Sequence, residues 1–233
     1  MDRQVTPFVV VPAYNEAHIL HRTLSSLVTA GYLVVAVDDG STDGTSSVAL
    51  TIPVHVLRHV TNLGQGAALQ TGIAYALSFP ECTHIVTFDA DGQHRVEDIA
   101  ALISAMQESG ADVAIGSRFK DGTRAPGIPF TRIIVLRLAA FFTRLTTGLS
   151  VTDAHNGLRA FTRFAAGRVR IRQAGMAHAS EIIGQIRRAG LTYIEVPVTI
   201  DYTAYSRSKG QRLWNGLGIL WETLVGGLAG DAD

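Results

Sequence analysis

The first half of the chain alternates short apolar runs with longer stretches in which apolar residues recur every three or four positions. The runs predict five strands, at residues 8–11, 33–37, 54–57, 85–88 and 112–115. The helical spacing predicts helices between them, at residues 19–28, 67–77 and 96–107. Strands that alternate with helices favour βαβ units. We therefore predict an α/β fold: a single Rossmann-like domain with a mostly parallel central sheet and helices on both faces.

The second half departs from this alternation at residues 128–149, where an apolar stretch contains Arg132, Arg137 and Arg144. The stretch is too charged to span a bilayer and more apolar than a solvated helix requires. On its pattern it could lie in a membrane interface or could simply cover the sheet. Further along, the pattern predicts a helix at 179–189, a strand at 193–200 and an amphipathic helix within 211–233. We assign residues 1–210 to the main α/β domain and 211–233 to an appended amphipathic helix and tail.

Composition narrows the class of protein. Of 233 residues, 47% are hydrophobic, which is ample for a large core, and the formal net charge is zero. A neutral chain has no overall positive field to attract nucleic acid, so no nucleic-acid partner is expected. The single Cys82 excludes a disulfide framework and fits a reducing compartment. No signal peptide and no apolar run of the ~18–20 residues needed for a membrane span are found, so a cytoplasmic location is predicted.

Two aspartates follow the fourth predicted strand. Asp89 and Asp91 are separated by one residue, so in an extended segment their side chains point the same way. Gln93 follows two residues later. Hard oxygen ligands beside an open loop suit Mg²⁺ or Mn²⁺ holding a substrate diphosphate. The alternative is an ordinary turn, because aspartate and glycine are common turn residues.

Three other loops carry weaker signals. The loop at 12–16 could offer backbone amides to an anion, or Asn15 could simply cap the next helix. The loop at 37–43 places a carboxylate at a strand end, although Asp-Gly-Ser is mostly a turn sequence. The glycine-rich loop at 62–66 matches no complete phosphate-binding motif and is predicted to be a structural turn.

Taken together and in this order, these segments resemble the family 2 glycosyltransferases of the A-type nucleotide-diphospho-sugar fold. The resemblance covers nearly the whole chain and is greatest to the dolichyl-phosphate mannosyltransferases and bacterial polyprenyl-phosphate glycosyltransferases. It is carried by PAYNE, VDDGSTDGT, NLGQGAA, DADGQH, IGSRF, TDAHNGLRAF and YSRSKGQ.

The resemblance implies a donor site. Residues framing the nucleoside would be Pro12, Tyr14 and Glu16, and the base would be held by Val37 and Asp39. The donor would be contacted by Asp89, Ala90 and Asp91, with a metal ion on Asp89, Asp91 and Gln93.

The resemblance also implies phosphate contacts. The donor phosphates would meet Arg118, Arg207 and Lys209, and the acceptor phosphate would meet Arg118, Arg132 and Arg137. One departure stands out, since the polyprenyl-phosphate enzymes carry an arginine several residues before the lysine. Tyr202 falls near that place here, and Arg207 is only a nearby substitute.

Two further carboxylates are candidates for catalysis. Asp153 could orient the acceptor or stabilise charge at the reacting sugar carbon, or it could be a structural partner of Arg159. Glu181 is the nearest candidate for a general base, with helix capping as the alternative. His94 and His178 are isolated histidines, which are more often structural than catalytic.

We therefore predict a metal-dependent, inverting glycosyltransferase of cell-envelope glycan biosynthesis. It would move a hexose from a nucleoside-diphosphate sugar, of the GDP-mannose or UDP-glucose type, to a polyprenyl phosphate. Such a lipid acceptor would bring the chain to the cytoplasmic face of the membrane as a peripheral protein. The alternatives are transfer to a sugar hydroxyl or other soluble acceptor, and a non-catalytic nucleotide-sugar-binding protein.

Overall fold

A seven-stranded mixed sheet forms the centre of the molecule, in a computed structural model that describes residues 5–120, 130–175 and 177–201. The order across the sheet is β3-β2-β1-β4-β6-β5-β7. All neighbouring strands are parallel except β6, which runs antiparallel to β4 and β5. The strands are β1 Pro7–Ala13, β2 Leu33–Asp38, β3 His55–Arg58, β4 His84–Thr87, β5 Val113–Ser117, β6 Arg159–Thr162 and β7 Tyr193–Pro197.

Helices cover both faces of the sheet. Within the described residues they are α1 Ala17–Thr29, α2 Thr45–Ala49, α3 Gln65–Leu77, α4 Glu97–Ser109, α5 Phe130–Thr147, α6 Arg163–Ala166 and α7 His178–Arg188. One hydrophobic core lies between the sheet and α1, α2 and α4. A second core lies between the opposite face and α3, α6 and α7, and α5 packs against α7.

Strand β1 shows why the sequence pattern produces two cores. Its side chains alternate between the faces, so Phe8 and Val10 belong to one core while Val9 and Val11 belong to the other. Such a strand is buried on both faces and is therefore apolar throughout. Helix α3 approaches it closely at Gly72, where a Cβ atom would lie 2.3 Å from Cγ1 of Val10.

The order of the strands creates a crevice at the carboxyl ends of the central strands. From β1 the chain continues to β2 on one side, and it later places β4 on the other side of β1. Ligands of open α/β sheets bind at such a switch point, beyond the carboxyl ends of the strands. The loops that follow Ala13 and Thr87 therefore lie at the position where a substrate is expected.

The predicted α/β fold is confirmed, with each predicted strand and helix of the first half found within a few residues. Three short elements, α2, β6 and α6, were not predicted, and β7 ends at Pro197 rather than at residue 200. The segment at 128–149 contains helix α5. Within the described part of the chain, no helix has both the length and the apolarity to cross a membrane. Residues 211–233 lie outside the described residues.

Candidate active site

Two loops are tied together at the carboxyl ends of β1 and β2. The amides of Asn15 and Glu16 donate to Oγ of Ser41 and Oγ1 of Thr45, each at 2.9 Å. The amide of Ala17, the first residue of α1, donates to Oδ2 of Asp43 at 3.1 Å. The capping role considered for Asn15 is therefore wrong, because the cap comes from the neighbouring loop. Asn15 instead has a φ of 54° and bridges to that loop.

The residues predicted to frame the nucleoside differ in accessibility. The side chain of Tyr14 is exposed and that of Glu16 half-buried, whereas Pro12 is buried. Val37 is fully buried in the core that faces α3, so its side chain does not reach the loop surface. Of this set, Tyr14 and Glu16 present side chains to the crevice edge.

Asp39 holds the glycine-rich loop in place. Its carboxylate accepts hydrogen bonds from the amides of Leu63 at 2.9 Å and Gly64 at 2.7 Å, and it contacts Nδ1 of His59 at 2.7 Å. Only 2% of Asp39 is exposed. These contacts give Asp39 a structural role in the loop at 62–66, and both the structural turn predicted there and the binding of a base by Asp39 stay predictions.

Asp89 is held by side chains from two other segments. Nε2 of Gln65 donates to its Oδ1, and Nε2 of His94 contacts its Oδ2, both at 3.0 Å. Gly157 packs against the same carboxylate so closely that a Cβ atom there would lie 2.2 Å from Oδ2. Burial acts to raise the pKa of the Asp89 carboxyl, but the hydrogen bond and charge of His94 outweigh it and lower that pKa. The sequence offered no signal for Gln65, and His94 was predicted to be merely structural.

Within the described residues, the carboxylate of Asp91 forms its hydrogen bonds in its own loop. Its carboxylate accepts from the backbone amide of Gln93 at 3.1 Å and from the side-chain amide at 2.5 Å. Burial, reinforced by the negative charge of Asp89, raises the pKa of Asp91 to about 6. The negative charge of each carboxylate thus disfavours ionisation of the other.

The residues present at this position fit a divalent metal ion. Two carboxylates and an amide are hard donors of the kind that Mg²⁺ and Mn²⁺ prefer, and a cation would relieve the repulsion felt by Asp91. In the described ranges, no group of three or more histidine, cysteine, aspartate or glutamate side chains forms a complete cage for an ion. A cation here would therefore keep coordination positions for water and substrate oxygens.

Asp153 forms a buried ion pair with Arg118. Nε and Nη2 of Arg118 donate to the two carboxylate oxygens at 2.6 and 2.8 Å, and the Arg118 amide donates at 3.1 Å. Although burial opposes ionisation, this guanidinium lowers the pKa of Asp153. The structural partner proposed for Asp153 was Arg159, which is wrong, because Arg118 takes that place.

Arg159 and its neighbours form a buried polar group behind Asp89. Arg159 is 1% exposed, and its Nη2 donates to the carbonyl of Ala154 at 2.7 Å. Burial lowers the pKa of Arg159 to about 10, against the opposing charges of Asp89 and Asp153. Within the described residues, Nε of Arg159, Nδ2 of Asn156 and both ring nitrogens of His155 have no hydrogen-bond partner.

Glu181 and His178 have local partners. The Glu181 carboxylate accepts from the amides of Arg172 at 2.9 Å and Gln173 at 2.8 Å, so it anchors the segment before α7 rather than standing free as a base. Nδ1 of His178 contacts the carbonyl of Gly175 at 2.8 Å, in agreement with the structural role predicted for it.

A groove beside α5 contains one of the predicted acceptor residues. Its volume is about 340 Å³, and it is lined by Phe119, Arg137, Ala140, Phe141, Arg144, Ser150, Val151 and Thr152. Phe119 connects it to the ion pair, since the Arg118 guanidinium carbon lies 5.7 Å from the centre of that ring. The position of Arg132 in α5 is described but its side chain is not, and Arg207 and Lys209 lie outside the described residues.

Comparison with known proteins gives a consistent result. A sequence model of glycosyl transferase family 2 matches residues 8–170. A UDP-N-acetylglucosamine–dolichyl-phosphate N-acetylglucosaminyltransferase of Methanococcus voltae is 30% identical, over 94% of each chain. An undecaprenyl-phosphate mannosyltransferase of Micrococcus luteus is 32% identical, over 93% of this chain and 90% of that protein.

Solved structures agree on the fold. Glucosyl-3-phosphoglycerate synthase of Mycobacterium tuberculosis, crystallised with Mn²⁺, uridine diphosphate and glucosyl-3-phosphoglycerate, superposes with a TM-score of 0.69. The similarity covers 96% of this chain and 78% of that one, at 18% sequence identity. At that identity the comparison establishes the A-type fold alone.

Proposed function

The chain belongs to glycosyl transferase family 2, and on that basis we propose that it moves a hexose from a nucleoside-diphosphate sugar to a polyprenyl phosphate. The observation that carries the acceptor is the similarity to transferases named for dolichyl and undecaprenyl phosphate, which extends over nine-tenths or more of both chains. These two relatives are named for different sugars, so the donor is proposed only as a class.

The donor would lie in the crevice between the loops after β1 and β4. Tyr14 and Glu16 would flank the nucleoside, and Asp39 would contact the base or hold the loop that does. Mg²⁺ or Mn²⁺ on Asp89, Asp91 and Gln93 would neutralise the diphosphate as it leaves. Because Gln65 and His94 occupy both oxygens of Asp89, that side chain is fixed in orientation before substrate arrives.

Both candidate bases, Asp153 and Glu181, already have partners in the structure, which supports a phosphate acceptor. Asp153 is paired with Arg118, and Glu181 accepts from two backbone amides. A hydroxyl acceptor needs a base to take its proton, whereas a lipid phosphate is already anionic at neutral pH. Direct attack by that phosphate oxygen would invert the configuration at the sugar carbon, and catalysis would come from positioning and charge stabilisation.

The acceptor phosphate is proposed to enter by the groove beside α5. Arg137 and Arg144 supply positive charge there, and Phe141 and Val151 supply apolar surface for the first isoprene units. Large apolar side chains of α5 are also exposed, with 54% of Leu138, 59% of Phe141 and 67% of Leu145 accessible. This exposed stripe supports peripheral attachment to a membrane, which we propose to be at the cytoplasmic face.

Transfer to a soluble hydroxyl acceptor is the second candidate, because the synthase that shares the fold was crystallised with a soluble product.

A thermal-shift panel of nucleoside diphosphates and nucleotide sugars, with and without Mn²⁺, tests the donor half of the proposal. Binding stabilises a protein in proportion to the logarithm of ligand concentration over Kd. We expect a shift for one base that grows with Mn²⁺, and no metal-dependent shift with any nucleotide would contradict the proposed site.

A further inference from the structure

The two faces of the molecule carry opposite charge. The helices α3, α5, α6 and α7 and the segment 167–173, on one side of the sheet, contain nine arginines and a single acid, Glu181. The helices of the other face, α1, α2 and α4, carry one arginine, Arg22, and three acids, Glu97, Asp98 and Glu108. The neutral composition of the chain therefore hides a strongly polarised surface.

The exposed arginines adjoin one another along α7. In the segment 168–172, Val169 and Ile171 are buried, so Arg168, Arg170 and Arg172 point outward. This segment lies beside α7, because the side chain of Gln185 bonds both the amide and the carbonyl of Arg170. We call the exposed arginines of this segment and of α7 the arginine surface; they are Arg168, Arg170, Arg172, Arg187 and Arg188.

Helix α5 borders the arginine surface on the other side of α7. A Cβ atom at Gly184 would lie 3.7 Å from Cγ2 of Thr147, at the end of α5, and 3.5 Å from Nη1 of Arg188. Arg188 therefore lies at the junction of α7 and α5. Arg144 is three residues before Thr147 and is also exposed. The arginine surface thus continues into the basic and apolar face of α5.

Nothing in the described ranges neutralises these charges. None of the ion pairs found there involves a member of the arginine surface. The carboxylate of Glu181, the single acid of these helices and of the segment 167–173, accepts from the amides of Arg172 and Gln173 instead. Unpaired arginines on one face produce a local positive potential that attracts anionic partners within about 10 Å at ordinary salt.

We propose that the arginine surface docks on an anionic phospholipid membrane and sets the orientation of the enzyme there. A bilayer is favoured over nucleic acid because exposed apolar side chains accompany the arginines, as an acyl–phosphate boundary requires. Leu138, Phe141 and Leu145 are exposed on α5, and Phe164 lies under Arg168 at 3.5 Å from its guanidinium carbon. The inference rests on the proposed lipid acceptor, because orientation by the membrane matters only if the acceptor is there.

Vesicle co-sedimentation tests the proposal with phosphatidylglycerol–phosphatidylcholine vesicles that contain neither acceptor nor donor. We expect binding that rises with the anionic fraction and is lost in high salt. Arg187→Gln should weaken it about fivefold, in line with the contribution of one arginine near such a surface. Arg22→Gln makes the same charge change on the opposite face and should leave binding unchanged, as a matched control.

The combined variant Arg170→Gln, Arg172→Gln and Arg187→Gln should lose most vesicle binding while still transferring sugar to a short, detergent-soluble polyprenyl phosphate. Equal binding of the Arg187 and Arg22 variants, or tighter binding to RNA than to vesicles, would overturn the docking surface. If the unaltered protein transfers sugar to the soluble acceptor but does not bind vesicles, this inference is overturned and the proposed function stands. If the unaltered protein binds vesicles but transfers no sugar, the proposed function is overturned and the docking surface stands.

Discussion

The two aspartates of one short motif are held in different ways. Asp89 has a donor on each oxygen, from Gln65 and His94, and a pKa below its ordinary value. Within the described residues, Asp91 is bonded to Gln93 of its own loop, and its pKa is raised to about 6. The sequence predicted this pair and its place at a strand end. The difference between the two could not be predicted, because the residues that bond Asp89 are set by packing between distant segments.

Asp91→Asn is expected to reduce sugar transfer by about 100-fold or more, because the metal would lose a charged ligand that stabilises the leaving diphosphate. Unfolding by heat should be little changed, since the hydrogen bonds found for this side chain within the described residues lie in its own loop. Glu108→Gln, at the exposed end of α4, is the control for an equivalent change elsewhere. Wild-type turnover in the Asp91 variant, or full activity in excess chelator, would contradict a metal site here.

Asp39→Ala is expected to have two effects, because its carboxylate holds the amides of Leu63 and Gly64. Losing these two part-buried hydrogen bonds should lower the free energy of unfolding by about 1–3 kcal/mol. Nucleoside-diphosphate affinity should weaken by a similar amount. Chemical denaturation and titration calorimetry measure the two separately. If the variant is destabilised but its nucleoside-diphosphate affinity is unchanged, Asp39 only stabilises the loop and is not part of the donor site.

At the scale of elements, strands formed by long apolar runs could be predicted from the sequence. Short elements, and strands that mix polar and apolar residues, could not. Strand β1 is apolar throughout and was found from its pattern, whereas β6 begins with the buried Arg159 and pairs antiparallel between two other strands. Helices α2 and α6 have five and four residues, too few for helical periodicity to show. The position of the candidate site, at the carboxyl ends of β1, β2 and β4, could be predicted from the sequence. The hydrogen bond from the first residue of α1 to Asp43 could not, because it depends on tertiary structure.

The contact between α3 and the segment before α7 makes Gly66 a sensitive position. A Cβ atom there would lie 2.0 Å from the carbonyl oxygen of Gln173, which is backbone and cannot move aside freely. Gly66→Ala should therefore lower the free energy of unfolding by about 1–3 kcal/mol. Gly167→Ala, where the nearest atom is 3.5 Å away, is the matched control and should cost less than this. Equal stability of the two variants would contradict the close approach.

At the scale of the whole molecule, stability should depend on pH through buried histidine. Burial, and secondly the charge of Arg159, lowers the pKa of His155 from 6.5 to about 4. At this residue the unfolded chain therefore binds more protons than the folded one between these values, so the contribution of His155 to the free energy of unfolding falls as the pH drops through that range.

His155→Asn should flatten this dependence between pH 6.5 and 4, whereas His21→Asn, on the exposed face of α1, should not. Denaturant titrations at several pH values measure the slope in each variant. A slope in the His155 variant equal to that of the unaltered protein would show that His155 is not held neutral by the fold.

The most direct test of the proposed function is transfer of labelled sugar from a panel of nucleotide sugars to a short polyprenyl phosphate, with the unphosphorylated polyprenol as the paired acceptor. We expect one donor to label the phosphate alone, only when Mg²⁺ or Mn²⁺ is present, with inverted configuration at the sugar carbon. The rate should show no acid limb from a general base near neutral pH, because Asp153 is ion-paired and Glu181 is bonded to backbone. Labelling of the polyprenol or of a soluble hydroxyl acceptor instead, or full labelling without metal, would contradict a metal-dependent polyprenyl-phosphate glycosyltransferase.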